Sequence, residues 1–436
     1  MSETPRASLM SGSVVQASGR EFAVFFLAYS LALLPVTIES ISVNYSFLIV
    51  ILLEVLVVKT LERPSLWLQY SMVLFFSIFA IATVLQYEFH PEAPRRLASF
   101  LLFMSMFAFT FVRITDTSIR AFKVAVVVMS LCLCLLSMYK FVSMGVVIAG
   151  EEEKNEIGSQ RIGFLYLMAF WLIYTTNVGR FLSLAFLGRA LGLAVVLVGL
   201  LLTFSRSSLV ALVLSAIAYY LVEFARFAIK PSKAALSRIV ERITSLVILS
   251  VLMYMTFPGI FDFFAERLGE WLLDPEVRDA DLDDPSASGG TRAVIARTVI
   301  DFVLQYPLTG SGFLGIWIAT KDFVGSAHNQ YLDVLFRTGV LGFGLYVWII
   351  LRVSWNLYRR DQALFWGFLG CLLYGVFHET FKESHGAFLL AFLIGMLPKA
   401  GATVEKSASS GEGSSSISGP TSGDSKLNAH AGKSGS

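Results

Sequence analysis

The sequence predicts an all-α polytopic membrane protein of about 12 transmembrane helices with one long outer loop that carries an amphipathic helix. Three observations predict it. Hydrophobic residues make up 56% of the 436 residues and charged ones only 15%, against roughly half and a quarter in soluble domains. Mean hydropathy is +0.69, more apolar surface than a dispersed soluble fold of this size can hide. Apolar runs close to the ~20 residues that cross a bilayer as helix recur along the chain. A soluble enzyme, a secreted disulfide scaffold and a nucleic-acid-binding protein are thereby excluded.

The runs fall at Phe22–Ile38, Tyr45–Val58, Leu66–Tyr87, Leu97–Val112, Val124–Ala149, Ile162–Val178, Ala190–Phe204, Leu209–Phe224, Ile243–Ile260, Val340–Leu357, Ala363–Phe377 and Gly386–Leu397. Helices are expected, because hydrocarbon leaves open backbone groups unsatisfied and no period-2 barrel pattern appears. Residues 1–21 form a polar segment without a small-residue cleavage site, so the first run reads as a retained span. Residues 22–260 then hold spans 1–9, 261–339 the loop, 340–398 spans 10–12, and 399–436 a Ser/Gly-rich tail expected to be disordered.

Lys and Arg in alternate short loops set the orientation. The N-terminal segment, Lys59/Arg63, Arg113–Lys123, Arg180/Arg189, Arg226–Arg242 and Arg352–Arg360 hold seventeen, and the intervening short loops six. The richer set is expected inside, with both termini cytoplasmic. Net charge is only +2, so its distribution matters more than its sum. Cys132, Cys134 and Cys371 all lie in apolar runs, with neither zinc spacing nor a disulfide framework.

The outer loop opens acidic, from Asp274 to Asp284, and then turns helical in pattern. Ile295, Val299, Phe302 and Tyr306 recur at the spacing of an amphipathic helix. Pro307 ends it, and Gly310, Gly312 and Gly315 follow. A loop this long and patterned is no plain connector.

Polar groups near a membrane are costly and therefore informative. Arg206 sits in the tight turn Thr203-Phe204-Ser205-Arg206-Ser207-Ser208. A guanidinium there forks onto phosphate oxygens, with Ser205 and its neighbours adding donors; it also fits an arginine snorkelling to the headgroups. His328, in Ala327-His328-Asn329-Gln330-Tyr331-Leu332-Asp333, can accept a proton near neutral pH, and equally fits a satisfied surface histidine. Asp333 or Asp322 could orient its ring. Arg292 opens the loop helix. The turn from His378-Glu379 to His385 invites a metal reading, but its spacing matches no familiar ligand pattern, and a polar turn at headgroup level is expected.

These residues also resemble a known family. Pro307-Leu308-Thr309-Gly310-Ser311-Gly312, then Ala327–Asp333 with its His328-Asn329 pair, then Gly339-Val340-Leu341-Gly342 are similar to the signature of the bacterial O-antigen ligase and polymerase family. Ser205-Arg206 looks like its serine–arginine turn, and Gly290-Thr291-Arg292 like its loop-helix arginine. The resemblance implies a glycosyltransferase of the bacterial inner membrane that needs no metal or other cofactor. Its donor would be a glycan on undecaprenyl diphosphate at the periplasmic face, and its acceptor a hydroxyl of lipid A-core or of a growing polysaccharide. It further implies His328 as base and Arg206 and Arg292 on the diphosphate, with Ser205, Asn329 and Asp333 in support. The disordered, cytoplasmic tail argues against the protein-glycosylating members, which carry a folded periplasmic portion there. A transporter of an anionic solute or lipid-linked glycan is the other class in play, though no internal repeat of the kind transporters show is visible.

The charge alternation predicts that a Ser286→Cys variant reacts with a membrane-impermeant thiol reagent in intact spheroplasts while Ser409→Cys does not. External labelling of Ser409→Cys would overturn the orientation.

Overall fold

The computed structural model describes residues 23, 26–27, 64–86, 111, 114–143, 162–176, 183–203, 205–256, 258–259, 288–312, 315–316, 327–381 and 384–398. The expected spans at Phe22–Ile38, Tyr45–Val58 and Leu97–Val112, the acidic half of the loop and the tail lie outside the described residues, but for isolated positions.

Ten helices are named from the described residues: α1 (Leu66–Leu85), α2 (Asp116–Ser143), α3 (Gly163–Tyr174), α4 (Leu184–Leu202), α5 (Arg206–Ile229), α6 (Lys233–Thr256), α7 (Ser288–Gln305), α8 (Gln330–Arg360), α9 (Gln362–Tyr374) and α10 (Ser384–Gly395). Five of them, α1, α2, α4, α5 and α8, are long and apolar enough to cross a membrane. The chain is a multi-pass helical membrane protein.

Length and burial separate two kinds of helix. α3, α9 and α10 have 12, 13 and 12 residues, about 18–20 Å of helix against a hydrocarbon core of roughly 30 Å. They are short because protein rather than lipid surrounds them. In α3, Phe164 to Ala169 are wholly buried against α2, α4, α5 and α9. In α10, Phe388 and Phe392 are wholly buried, and Phe392 stacks on Phe122 of α2 at 3.8 Å. The longer helices leave Val84, Leu191, Val213 and Leu351 exposed, the surface that lipid covers in a membrane protein.

Polar contacts gather the basic ends. Arg360 pairs with Asp116 at 2.7 Å, and Lys123 with Asp361. Arg226 donates to the Tyr358 hydroxyl at 2.8 Å, and Arg352 covers the Trp67 ring at 5.3 Å. All four cations belong to the richer set of loops. They share the end of the bundle away from Arg206 and Gln330, which open the two long helices that Arg226 and Arg360 close. Arg189, expected in a loop, lies inside α4. Its helix begins earlier because Ser183 caps it, accepting from the Phe186 N–H at 3.2 Å, and because Tyr174 O takes the guanidinium at 2.7 Å.

The loop helix is present as α7, and its stripe meets α8. Ile295, Val299 and Phe302 are buried with Ile316, Ala327 and Phe336 in a second, smaller core, where the Phe302 and Phe336 rings lie 4.5 Å apart. α8 itself begins at Gln330, ten residues before the expected span, and is interrupted at Gly339 (φ 61°, ψ −171°). The Pro307–Gly312 turn docks on this interruption. Ser311 N–H donates to Phe336 O at 2.8 Å, and Val340 N–H to Pro307 O at 2.7 Å. Gly310 (φ 69°) and Gly339 are in contact there: a Cβ on Gly310 would meet Gly339 N at 2.6 Å, and one on Gly339 would meet Pro307 O at 2.7 Å.

Both backbones are left-handed and closely approached, so Gly339→Ala should cost at least about 1–2 kcal/mol from conformation alone. Its melting temperature in detergent should fall clearly below the parent's. Gly344→Ala, with nothing within 4 Å of its Cβ position, should melt like the parent or slightly higher.

Candidate active site

Three segments meet at the end of the bundle opposite the basic cluster, and hydroxyl groups build the first. Thr203 Oγ1 donates to Leu200 O at 2.6 Å, closing α4. Ser205, buried, caps α5: its Oγ accepts from Ser208 N–H at 3.4 Å, and Ser208 Oγ donates to Ser205 O at 2.7 Å. Arg206 is then the first residue of α5 and is exposed, with no partner among the described residues. A free guanidinium at the positive end of a helix makes an electropositive point suited to phosphate oxygens.

The second segment is residues 327–331, which enters α8. His328 is exposed, with φ 49°, a conformation that non-glycine residues hold only when their neighbours fix them. Those neighbours are fixed. Asn329 caps α8, its Oδ1 accepting from Tyr331 and Leu332 N–H at 2.9 and 3.0 Å. Its Nδ2 donates to Val376 O at 2.7 Å. Gln330 N–H donates to Gly375 O at 2.8 Å, its side-chain oxygen accepts from Phe381 N–H at 2.9 Å, and the Tyr331 hydroxyl donates to Leu372 O at 2.7 Å.

Most of those acceptors and donors belong to the third segment, the turn 375–381 between α9 and α10. Two consecutive residues of this turn reach in different directions. His378 Nε2 lies 3.2 Å from Ser207 Oγ, next to Arg206, while its ring stacks on Tyr374 at 4.5 Å. Glu379 Oε1 accepts the buried Ala327 N–H at 2.6 Å, next to His328. The serine–arginine turn and the His328 segment thus hang on one turn. His385 goes elsewhere, stacking on Phe164 at 4.8 Å in full burial. Of the four polar residues that suggested a metal site, Glu383 lies outside the described residues and His378, Glu379 and His385 each serve a different neighbour; the described residues hold no cluster of three or more His, Cys, Asp or Glu that could bind a metal ion.

Asp333 is buried and bonded to Arg337 Nε at 2.8 Å, one turn further along α8. Gly315 leaves the room that this guanidinium occupies, since a Cβ there would lie 2.3 Å from an Arg337 nitrogen. Arg292 falls in the second turn of α7, and its side chain lies outside the described residues, as does Asp322. The structure therefore brings Ser205, Arg206, His328 and Asn329 to one turn, and puts Asp333 into an ion pair behind them. Glu379, Gln330 and Arg337 are added to the site. Arg337 had a sequence signal, an acid four residues before a base on a helix; Glu379 had none, because its partner is a backbone amide 52 residues away.

A multi-pass helical membrane protein with an electropositive turn and an exposed, backbone-fixed histidine at one end of its bundle is the class these features define. Residues 191–347 match the family model described as O-antigen ligase. The matched span carries Arg206, Arg292 and His328, and ends before the turn 375–381 that contacts Ser207 and Ala327. A search of curated proteins finds no match.

Glu379→Ala leaves the Ala327 amide buried without its acceptor, and should lower stability by about 1–3 kcal/mol, read as a drop in melting temperature. Glu379→Gln keeps an acceptor oxygen and should recover most of the loss. Equal melting of Glu379→Ala and the parent would remove this bond from the account.

Proposed function

We propose that the chain transfers a glycan from undecaprenyl diphosphate to a sugar hydroxyl at the periplasmic face of the bacterial inner membrane, as a surface-polysaccharide ligase or polymerase. The observation that carries this reading is the single turn 375–381 that ties Arg206 through Ser207 and His378, and His328 through Ala327 and Glu379. An anion-binding group and a proton-accepting group on one exposed end are what glycosyl transfer from a diphosphate requires.

In the proposed reaction, a ring nitrogen of His328 takes the proton of the acceptor hydroxyl. The oxygen attacks the anomeric carbon, the carbon–oxygen bond to the diphosphate breaks, and its electron pair leaves with the diphosphate. Arg206, joined by Arg292 from α7, stabilises the growing negative charge. The guanidinium matters through its fork as well as its charge, since two parallel donors match two phosphate oxygens. The lipid of the donor lies along the apolar outer faces of the bundle. Asn329 and Glu379 hold the backbone on either side of His328, and no step asks for a metal ion.

His328→Ala should lower glycan transfer about 10²–10⁴-fold while the protein stays in the membrane, the range for loss of a general base. Arg206→Lys should be severely impaired at matched expression, because lysine keeps the charge and loses the fork. Near-parental transfer by Arg206→Lys would return Arg206 to headgroup snorkelling. Transfer should survive EDTA; a chelator-sensitive activity restored by added metal would contradict the arginine-based mechanism.

A further inference from the structure

A second pair of arginines lies at the other end of the bundle. The ring of Tyr174, which closes α3, is shared by two guanidiniums: Arg189 of α4 at 5.5 Å and Arg242 of α6 at 6.0 Å. Arg242 also covers the Tyr219 ring of α5 at 5.5 Å. Tyr219 stands thirteen residues beyond Arg206, about 20 Å along α5, so this pair is far from His328.

The charges there are unbalanced. Arg189 is nine-tenths buried; it donates to Tyr174 O at 2.7 Å, has Glu241 at 3.8 Å, and keeps a buried Nε–H without an acceptor. Arg242 is half-buried and touches only aromatic faces, with no hydrogen-bond acceptor or carboxylate partner among the described residues. Among the described residues, two cations face one carboxylate. Helix pinning by stacking accounts for the aromatic contacts and leaves the guanidinium donors of Arg242 unused, an expensive arrangement beside hydrocarbon. An anion of phosphate geometry would use them.

The adjoining surface says what carries that anion. From the level of Arg242, α6 continues as an exposed apolar stripe of Ile243, Val247, Val251 and Tyr254. From Ile243 to Met255 this is about 18 Å of helix, close to half of the roughly 30 Å hydrocarbon thickness, which is one leaflet. A charged seat at the end of a leaflet-long apolar track fits a phospholipid, headgroup on the arginines and acyl chain along α6. Basic pockets between helices hold anionic headgroups in this way.

We infer that Arg189 and Arg242, framed by Tyr174 and Tyr219, form a binding site for the phosphate headgroup of an anionic phospholipid, in the leaflet on the side opposite His328. Under the expected orientation that is the cytoplasmic leaflet. The site is separate from the proposed transfer chemistry and stands whether or not that reading does.

Native mass spectrometry of the full chain in detergent, with added phosphatidylglycerol, phosphatidylcholine or inorganic phosphate, tests it. One phosphatidylglycerol per chain should be retained in preference to phosphatidylcholine, and inorganic phosphate should not displace it at equal concentration. Arg242→Gln should weaken phosphatidylglycerol retention about tenfold or more, the scale of one lost charge-assisted contact, and Arg242→Lys should fall between. Equal retention of the two lipids by the parent would overturn the inference, and this comparison decides even if Arg242→Gln fails to fold. Displacement by inorganic phosphate, undiminished retention by Arg242→Gln, or a lipid-free dimer occupying the stripe would overturn it as well.

Discussion

The hydrogen bond from Ala327 N–H to Glu379 is the contact on which the candidate site most depends. It joins a buried backbone amide to a buried carboxylate. Each group answers the other's desolvation cost. Around this bond the side chains of Asn329, Gln330 and Tyr331 bind the backbone of Val376, Phe381 and Leu372. The segment carrying His328 is thereby fixed although His328 itself is exposed and left-handed. Rigidity in the neighbours and access at the reactive ring are the combination that positioned catalysis needs.

A second constraint comes from the loop helix. α7 could not bury its stripe in solvent, and it does so against the start of α8, where Phe302 meets Phe336. The Pro307–Gly312 turn then returns the chain and plugs the interruption at Gly339 with two backbone hydrogen bonds. Helix ends leave amides and carbonyls without partners, and a break inside a membrane-protein helix is tolerable only where protein supplies them. The glycine motifs before and after the break are thus two halves of one joint, and that joint sets where Asn329 and His328 emerge.

Much of this was legible in the sequence. The stripe Ile295, Val299, Phe302 placed α7 to within a few residues, and the tight turn read before Arg206 is present, with Ser205 capping α5. The onset of α8 was not legible from hydropathy, because Asp333 and Arg337 make residues 330–338 read as loop. In the fold they neutralise each other across one helical turn, and Asn329 was the cap signal that marked the true start. The short helices α3, α9 and α10 read as ordinary spans because composition records apolarity and not whether lipid or protein provides the surroundings. Glu379 read as a headgroup-level carboxylate, since a bond to a distant backbone amide leaves no trace in local pattern. Arg189 was misplaced into a loop for the same reason: its partners, Tyr174 O and Glu241, come from other helices.

Lipid-linked glycans extracted from a strain lacking this chain distinguish glycosyl transfer from transport. With transfer lost, glycan should accumulate on undecaprenyl diphosphate, as full-length chains for a ligase or single repeat units for a polymerase. Re-expression of the parent should clear it and His328→Ala should not. An unchanged carrier-linked pool in the deletion strain would contradict glycosyl transfer and favour a transport role for the bundle.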